Sequence, residues 1–151
     1  MAANTAPIFT ETPVVGAGIW TSSTTANTKS DGAGTIGTDI VKLFTAGADG
    51  SFINRIRLSP AASTAATATT ATVARFYIST VSSSTTTRAD TFPFAEVACP
   101  AQTADQTTTA TNYVEIPCGF YIPTGYFIHF SMHHAAAANT SWAAIVLGGN
   151  Y

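Results

Sequence analysis

The chain has 151 residues, of which 46% are hydrophobic and 11% aromatic, so it can bury a core of its own as a single domain. Charged residues make up only 9%, against about 25% in ordinary soluble domains, and the net charge is −2. The six basic residues form no patch suited to neutralising phosphates, which argues against a nucleic-acid partner.

Few charges also mean that the surface is covered mostly by hydroxyl, amide and alanine side chains. Such a surface lacks the charge repulsion that keeps proteins apart, so the composition favours a protein that associates. The opening residues, MAANTAP, have neither a positive stretch nor an apolar run, and no later segment has the apolar length of a membrane span. We therefore expect synthesis in the cytoplasm without a signal peptide, and no membrane partner.

The first residues allow two interpretations. We divide the chain into residues 1–13 and a β-sandwich domain of residues 14–151. Ile8 and Phe9 lie between polar and proline residues, so this segment is either an arm extended across a neighbouring subunit or the first strand of the subunit's own sheet.

Short runs of β-branched and aromatic residues then recur along the chain, separated by clusters of turn-forming residues. Eight runs predict strands: 18–21, 39–45, 51–58, 72–79, 92–99, 112–118, 125–133 and 141–147. Helix signals are weak throughout. The sequence predicts an all-β, single-domain antiparallel β-sandwich that is jelly-roll-like, because eight is the jelly-roll strand number. Strand order stays open, since immunoglobulin-like sandwiches share these local patterns.

The long connections are rich in threonine, alanine and serine. Residues 60–70, 82–87 and 102–111 lack large apolar residues at helical spacing and are predicted to be exposed loops. Residues 32–37 match the G-x-G-x-x-G pattern, but a polar stretch precedes them and a strand follows. We interpret them as a flexible loop entering a strand, with no cofactor.

The residues that carry chemistry form no recognisable catalytic or metal-binding pattern. On a strand, His129 and His133 share a face but lie about 13 Å apart, so we predict no metal site and expect solvent-facing or interface histidines. Cys99 and Cys118 are expected to be free, buried thiols. The eight carboxylates are dispersed and no G-x-S-x-G elbow is present, so the sequence predicts no catalytic residue and no enzyme.

Several segments in order along nearly the whole chain resemble the small structural proteins of tailed-bacteriophage virions that decorate the head. The matching segments are residues 1–9 (MAANTAPIF), 25–28 (TANT), 31–35 (DGAGT), 43–51 (LFTAGADGS), 53–57 (INRIR), 94–96 (FAE), 122–126 (IPTGY) and 148–151 (GGNY). These are signatures of turns and strands, so no functional residue is carried over from the family.

The resemblance implies a sandwich or jelly-roll subunit on the capsid surface that cements neighbouring capsomers. Its partners would be the major capsid protein and other copies of itself, with a homotrimer as one expected state. Ile8, Phe9, Arg55 and Arg57 are the candidate assembly interface. The alternative function is a tail or fibre module that binds a receptor or glycan.

Overall fold

The described residues of the computed structural model, 10–63, 67–103 and 113–151, form ten β-strands. The strands are β1 (Thr12–Thr21), β2 (Gly34–Thr35), β3 (Val41–Thr45), β4 (Ser51–Ala62), β5 (Thr72–Ser79), β6 (Thr85–Thr86), β7 (Thr91–Cys99), β8 (Val114–Ile122), β9 (Phe127–Met132) and β10 (Thr140–Asn150). No helix in these residues is both long enough and apolar enough to span a bilayer.

The long strands pair in a nested, antiparallel order. β1 pairs with β10, β3 with β9, β4 with β8 and β5 with β7. Two further pairs, β10 with β4 and β9 with β5, join these into sheet 1 (β1-β10-β4-β8) and sheet 2 (β3-β9-β5-β7). A long hairpin rolled up in this way is a jelly roll, which confirms the predicted β-sandwich and settles the strand order.

Each of the eight predicted runs becomes a strand, and β5 has the predicted bounds. β1 is longer than predicted and begins at Thr12, so its first two residues belong to the segment 1–13. The short strands β2 and β6 were not predicted, and β6 lies in a segment expected to be an exposed loop. That expectation was wrong for Thr86, which is buried because its hydroxyl donates to the carbonyl oxygens of Gly32 and Gly34.

The core lies between the two sheets and is organised around aromatic rings. Phe130 packs edge-on to Trp20, with ring centroids 5.8 Å apart, and stacks on Phe76 at 5.9 Å. Phe94 continues the contacts towards Phe120 on β8. Trp20 and Trp142 are both fully buried. Together these rings connect strands from both sheets.

Sheet 2 is also covered on its outer side, by the segment between β1 and β3. Asn27 is buried there, and its backbone N–H donates to the carbonyl oxygen of Met132. Beneath the segment, the hydroxyl groups of Tyr77 and Ser131 are hydrogen-bonded at 3.0 Å. Consequently every residue of β9 from Ile128 to Met132 is buried, on both faces of the strand.

The turns at one end of the sandwich are tied together by polar contacts. The Ser51 hydroxyl donates to Asn150 Oδ1 at 2.6 Å and accepts from the Gly47 N–H at 2.9 Å. The Tyr121 hydroxyl donates to the carbonyl oxygen of Asp49. Segments 43–51 and 148–151, which carry part of the family resemblance, therefore meet in space as a structural network.

Two glycines let β1 lie directly on β3. A β-carbon at Gly16 would overlap the backbone carbonyl of Leu43, and one at Gly18 would lie 2.6 Å from Cγ1 of Val41 and 2.7 Å from Cδ2 of Leu43. The two sheets thus close against each other along this side of the sandwich.

Gly16→Ala is expected to lower the free energy of unfolding by about 1–3 kcal/mol, because the added methyl group must push β1 away from β3. Without a close contact, a glycine-to-alanine change within a strand usually raises the free energy of unfolding. A decrease therefore indicates the contact between β1 and β3. Urea unfolding monitored by tryptophan fluorescence measures the change, and Ala98→Ser, at an exposed position of β7, is the control. Equal stability of Gly16→Ala and wild type would contradict the close approach.

Candidate assembly surface

The outer face of sheet 1 is open to solvent, unlike that of sheet 2. Its side chains line up in rows across the four strands because successive residues of a strand point to opposite faces. One row runs from Ala17 through Ile145 and Arg57 to Glu115. The next runs from Val15 through Leu147 and Arg55 to Pro117. The face is therefore apolar on β1 and β10 and charged on β4 and β8.

The apolar half is a strip formed by residues with their side chains towards solvent. We call this set the apolar strip: Val15, Ala17, Ile19, Ala143, Ile145 and Leu147. Val15 and Ile19 are 64% and 57% exposed. Ile145 and Leu147 are half-buried between their neighbours. Contiguous exposed apolar surface of this kind marks sites of association.

The charged half is built by two arginines that share one carboxylate. Glu115 accepts from Arg57 at 3.0 Å and from Arg55 at 3.3 Å. The guanidinium of Arg57 also lies over the ring of Tyr113, 4.2 Å from its centroid. We call these four residues the charged cluster; with two cations and one anion, it carries a net charge of +1.

The hydrogen bond from Arg57, together with the charge of Arg55, holds the pKa of Glu115 below its ordinary value. The carboxylate therefore stays ionised in mildly acidic solution. Nε of Arg55 is out of contact with water and has no hydrogen-bond partner among the described residues. The charged cluster thus keeps a net positive charge on the open face.

Of the four residues predicted as an assembly interface, the structure places Arg55 and Arg57 side by side on this face. Ile8 and Phe9 lie outside the described residues. Val15 and Ile19 were not recognised from the sequence, although their alternation with Gly16 and Gly18 was the available signal: large side chains on one face and none on the other.

The histidines do not behave as expected from the sequence. His129 was predicted to face solvent or an interface, and this was wrong: it is fully buried, with the backbone of Val81 beside its ring. His133 is half-buried and His134 is exposed, with their rings 4.9 Å apart. Among residues 10–63, 67–103 and 113–151, no three histidine, cysteine or acidic side chains come together as a metal site.

His129 is held in its neutral form. Burial lowers its pKa from 6.5 to about 4, and the charge of Lys42 on the neighbouring strand acts in the same direction. The backbone of Val81 favours the charged form, but neither ring nitrogen makes a hydrogen bond of ordinary geometry. Its nearest aromatic neighbour is Phe127, edge-on at 6.2 Å.

The other reactive groups serve structural purposes. Cys99 and Cys118 are free, and burial raises the pKa of each thiol to about 11, so both are protonated and poor nucleophiles. A shallow depression beside Arg75 offers no free charge, because that guanidinium is bonded to Glu96 at 2.6 Å and lies near the carbonyl oxygens of Asn27 and Lys29.

Comparison with known proteins finds no matching family model, no matching curated protein and no matching solved structure. The functional interpretation of the open face therefore depends on its geometry and chemistry.

The buried His129 is expected to make the protein less stable in acid. In the unfolded chain a histidine takes up a proton near pH 6.5, whereas the folded protein resists protonation down to about pH 4. Its contribution is therefore complete above pH 6.5 and lost as the pH falls towards 4, by about 3 kcal/mol in total. Urea unfolding at a series of pH values measures the loss. His129→Phe should flatten the dependence between pH 6.5 and 4, whereas the exposed control His134→Gln should keep it; equal slopes in the two variants would show that another group is responsible.

Proposed function

We propose that this protein is a structural, non-enzymatic subunit that decorates and stabilises the capsid of a tailed bacteriophage by binding the shell in many copies. Its partners are the major capsid protein and other copies of itself. The observation that carries the proposal is the open outer face of sheet 1, where an exposed apolar strip adjoins a charged cluster.

The fold supports an assembly role without establishing it. Jelly rolls serve in viral capsids, in lectins and in cupins, so the architecture by itself leaves function undecided. The distinction comes from where the unusual chemistry lies. In the described residues it is on a flat outer face, which suits contact with another protein surface, and not inside the sandwich, where the residues are apolar and closely packed.

Composition and rigidity point the same way. With charged residues at 9%, the surface offers little repulsion between copies at the high local density of a shell. The face itself is presented by four paired strands, so binding orders little additional backbone. A cement protein needs both properties, because it must bind a repeated lattice many times.

The resemblance to head-decoration proteins supports the same proposal through the fold. The residues that carry it include Arg55 and Arg57 on β4, which lie on the open face, and the turn segments that interlock at one end of the sandwich. Both are signatures of strands and turns, so the resemblance bears on the fold and assigns no functional residue.

A tail or fibre module that binds a glycan is the second candidate. It is favoured by the rings of Tyr121 and Tyr151, which lie 5.5 Å apart at the end of the sandwich, with Tyr121 51% exposed. Exposed aromatic rings suit stacking on a sugar, and lectins also use this fold. The number of copies per particle separates the two candidates.

Quantitative mass spectrometry of purified virions should find this chain at a copy number equal to that of the major capsid protein or a simple fraction of it. Particles that lack the protein should then lose their genomes at lower temperature or under osmotic shock, because cementing strengthens the contacts between capsomers. A few copies per particle would favour the tail or fibre candidate, and absence from particles would overturn both.

Replacing Arg55 and Arg57 together by serine is expected to weaken binding to undecorated capsids by about tenfold or more, because the charged cluster loses its net positive charge. Exposed ion pairs contribute little to folding, so the variant should remain folded. Co-sedimentation with capsids measures occupancy. Arg88→Ser removes an exposed arginine elsewhere and is the matched control; equal occupancy of both variants would exclude the charged cluster from the capsid contact.

A further inference from the structure

Strand β1 is a sheet edge of unusual character. It lies at the edge of sheet 1, and β10 is its only strand partner in the part of the chain that the structure describes. All ten residues of β1 pair with β10 without a register shift, and none of them is charged. The opposite side of β1 therefore offers backbone groups for pairing with another strand as far as Ile19. Beyond it, the N–H of Thr21 donates to the Thr24 hydroxyl and its carbonyl oxygen accepts from the Thr24 N–H.

The other three edges of sheets 1 and 2 are each protected against such pairing. β8 contains Pro117 and a register shift towards β4. β7 contains Pro93 and a register shift towards β5. β3 is five residues long, carries Lys42 and has a shift towards β9. Proline, charge and bulges are the usual means of blocking edge-to-edge contacts, and in β1 the single proline, Pro13, stands at the second position of the strand.

The exposed side chains of β1 are complementary to themselves. If two copies of β1 run antiparallel with Ala17 opposite Ala17, then Val15 of each copy lies opposite Ile19 of the other. Moving the axis to Gly16 or Gly18 would leave Val15 and Ile19 facing smaller or polar residues. In the Ala17 arrangement Glu11 falls opposite Ser23, so like charges do not meet. Cross-strand apolar pairs of this kind stabilise antiparallel sheets.

We propose that β1 pairs antiparallel with β1 of a second copy about a two-fold axis at Ala17, so that the two copies of sheet 1 form one continuous eight-stranded sheet. Such a contact uses the same patch on both subunits, as two-fold interfaces do. The axis joins the two apolar strips across the dimer and leaves both charged clusters outside the contact, free for another partner.

The close approach of β1 to β3 prepares the edge for this pairing. Gly16 and Gly18 seat β1 on β3, and Trp20 anchors its far end in the core, so the edge is held in an extended conformation before a second copy arrives. The ordering cost of pairing is correspondingly small.

A single cysteine at the axis tests the arrangement directly. In Ala17→Cys, the two new thiols would lie opposite each other, within the separation that a disulfide requires, and mild oxidation should give a covalent dimer. In the control Val15→Cys the two thiols would be about 13 Å apart and should not cross-link. Wild type, which retains Cys99 and Cys118, reports any reaction of the native thiols. Equal cross-linking of Ala17→Cys and Val15→Cys would overturn the proposed register.

Sedimentation equilibrium of the purified protein tests the dimer itself. Wild type is expected to be dimeric. Ile19→Lys should be monomeric with an unchanged far-ultraviolet circular dichroism spectrum, because the lysine would face Val15 of the second copy with no counter-charge. Phe92→Lys makes the same type of change at an exposed residue of β7, another edge, and should remain dimeric. A monomeric wild type would overturn the proposal and would favour an extended segment of another protein as the occupant of this edge. A dimer that survives Ile19→Lys would also overturn it.

The inference depends on the proposed assembly function for its biological role but is tested on the isolated protein. A monomeric wild type that is nevertheless abundant in virions would overturn the β1 pairing alone. A cross-linked dimer that is absent from virions would overturn the phage assignment alone.

Discussion

The placement of β10 between β1 and β4 is the constraint on which the rest of the structure depends. β10 is bonded on both sides, to β1 over ten residue pairs and to β4 over eleven. It contributes Trp142 and Val146 to the core and Ile145 and Leu147 to the outer face. Without it, sheet 1 would fall into separate pieces, and neither the apolar strip nor the row linking that strip to the charged cluster would exist.

The outer faces of the two sheets differ: that of sheet 2 is covered, and that of sheet 1 is exposed to solvent. Sheet 2 is covered by the segment that contains Asn27, which turns a β-strand face into a second buried layer. On the neighbouring position of β9, the ring nitrogens of His129 are also shielded from water, without ordinary hydrogen bonds. The outer face of sheet 1 is exposed to solvent and has an apolar half and a charged half. Its two arginines form ion pairs with Glu115. One side of the sandwich therefore serves stability, and the other is available for contact.

Much of the fold was predictable because local patterns determine strands well. The run of β-branched and aromatic residues 72–79 predicted β5 with its observed bounds. The nested strand order was beyond local patterns, since it depends on contacts between segments far apart in the chain. The bulge at Asn54 could not be predicted from the sequence either. Strict alternation would place Ile53 and Ile56 on opposite faces of β4, but because of the bulge both side chains point into the core.

The candidate site was predictable in part. Arg55 and Arg57 were identified because they are the closest basic residues in the sequence, and the structure places them on one face. Val15 and Ile19 were missed because two glycines interrupt the apolar character of β1. His129 was misassigned because alternation gives the face on which a residue lies but not what covers that face, and here the covering segment is polar and looks like an ordinary loop.

The position of β10 near the end of the sequence also sets when β1 gains its partner during synthesis. β1 is synthesised first among the described strands, and about 120 residues follow before β10, which at 5–20 residues per second is a delay of roughly 6–24 seconds. During that interval β1 has no strand of its own sheet beside it, so the apolar strip is not yet assembled. Until β10 is made, both edges of β1 are unpaired, and unpaired strand edges promote the association of incomplete chains. The arrival of β10 closes one of these edges, so the last strand to be synthesised is the one that ends this exposure.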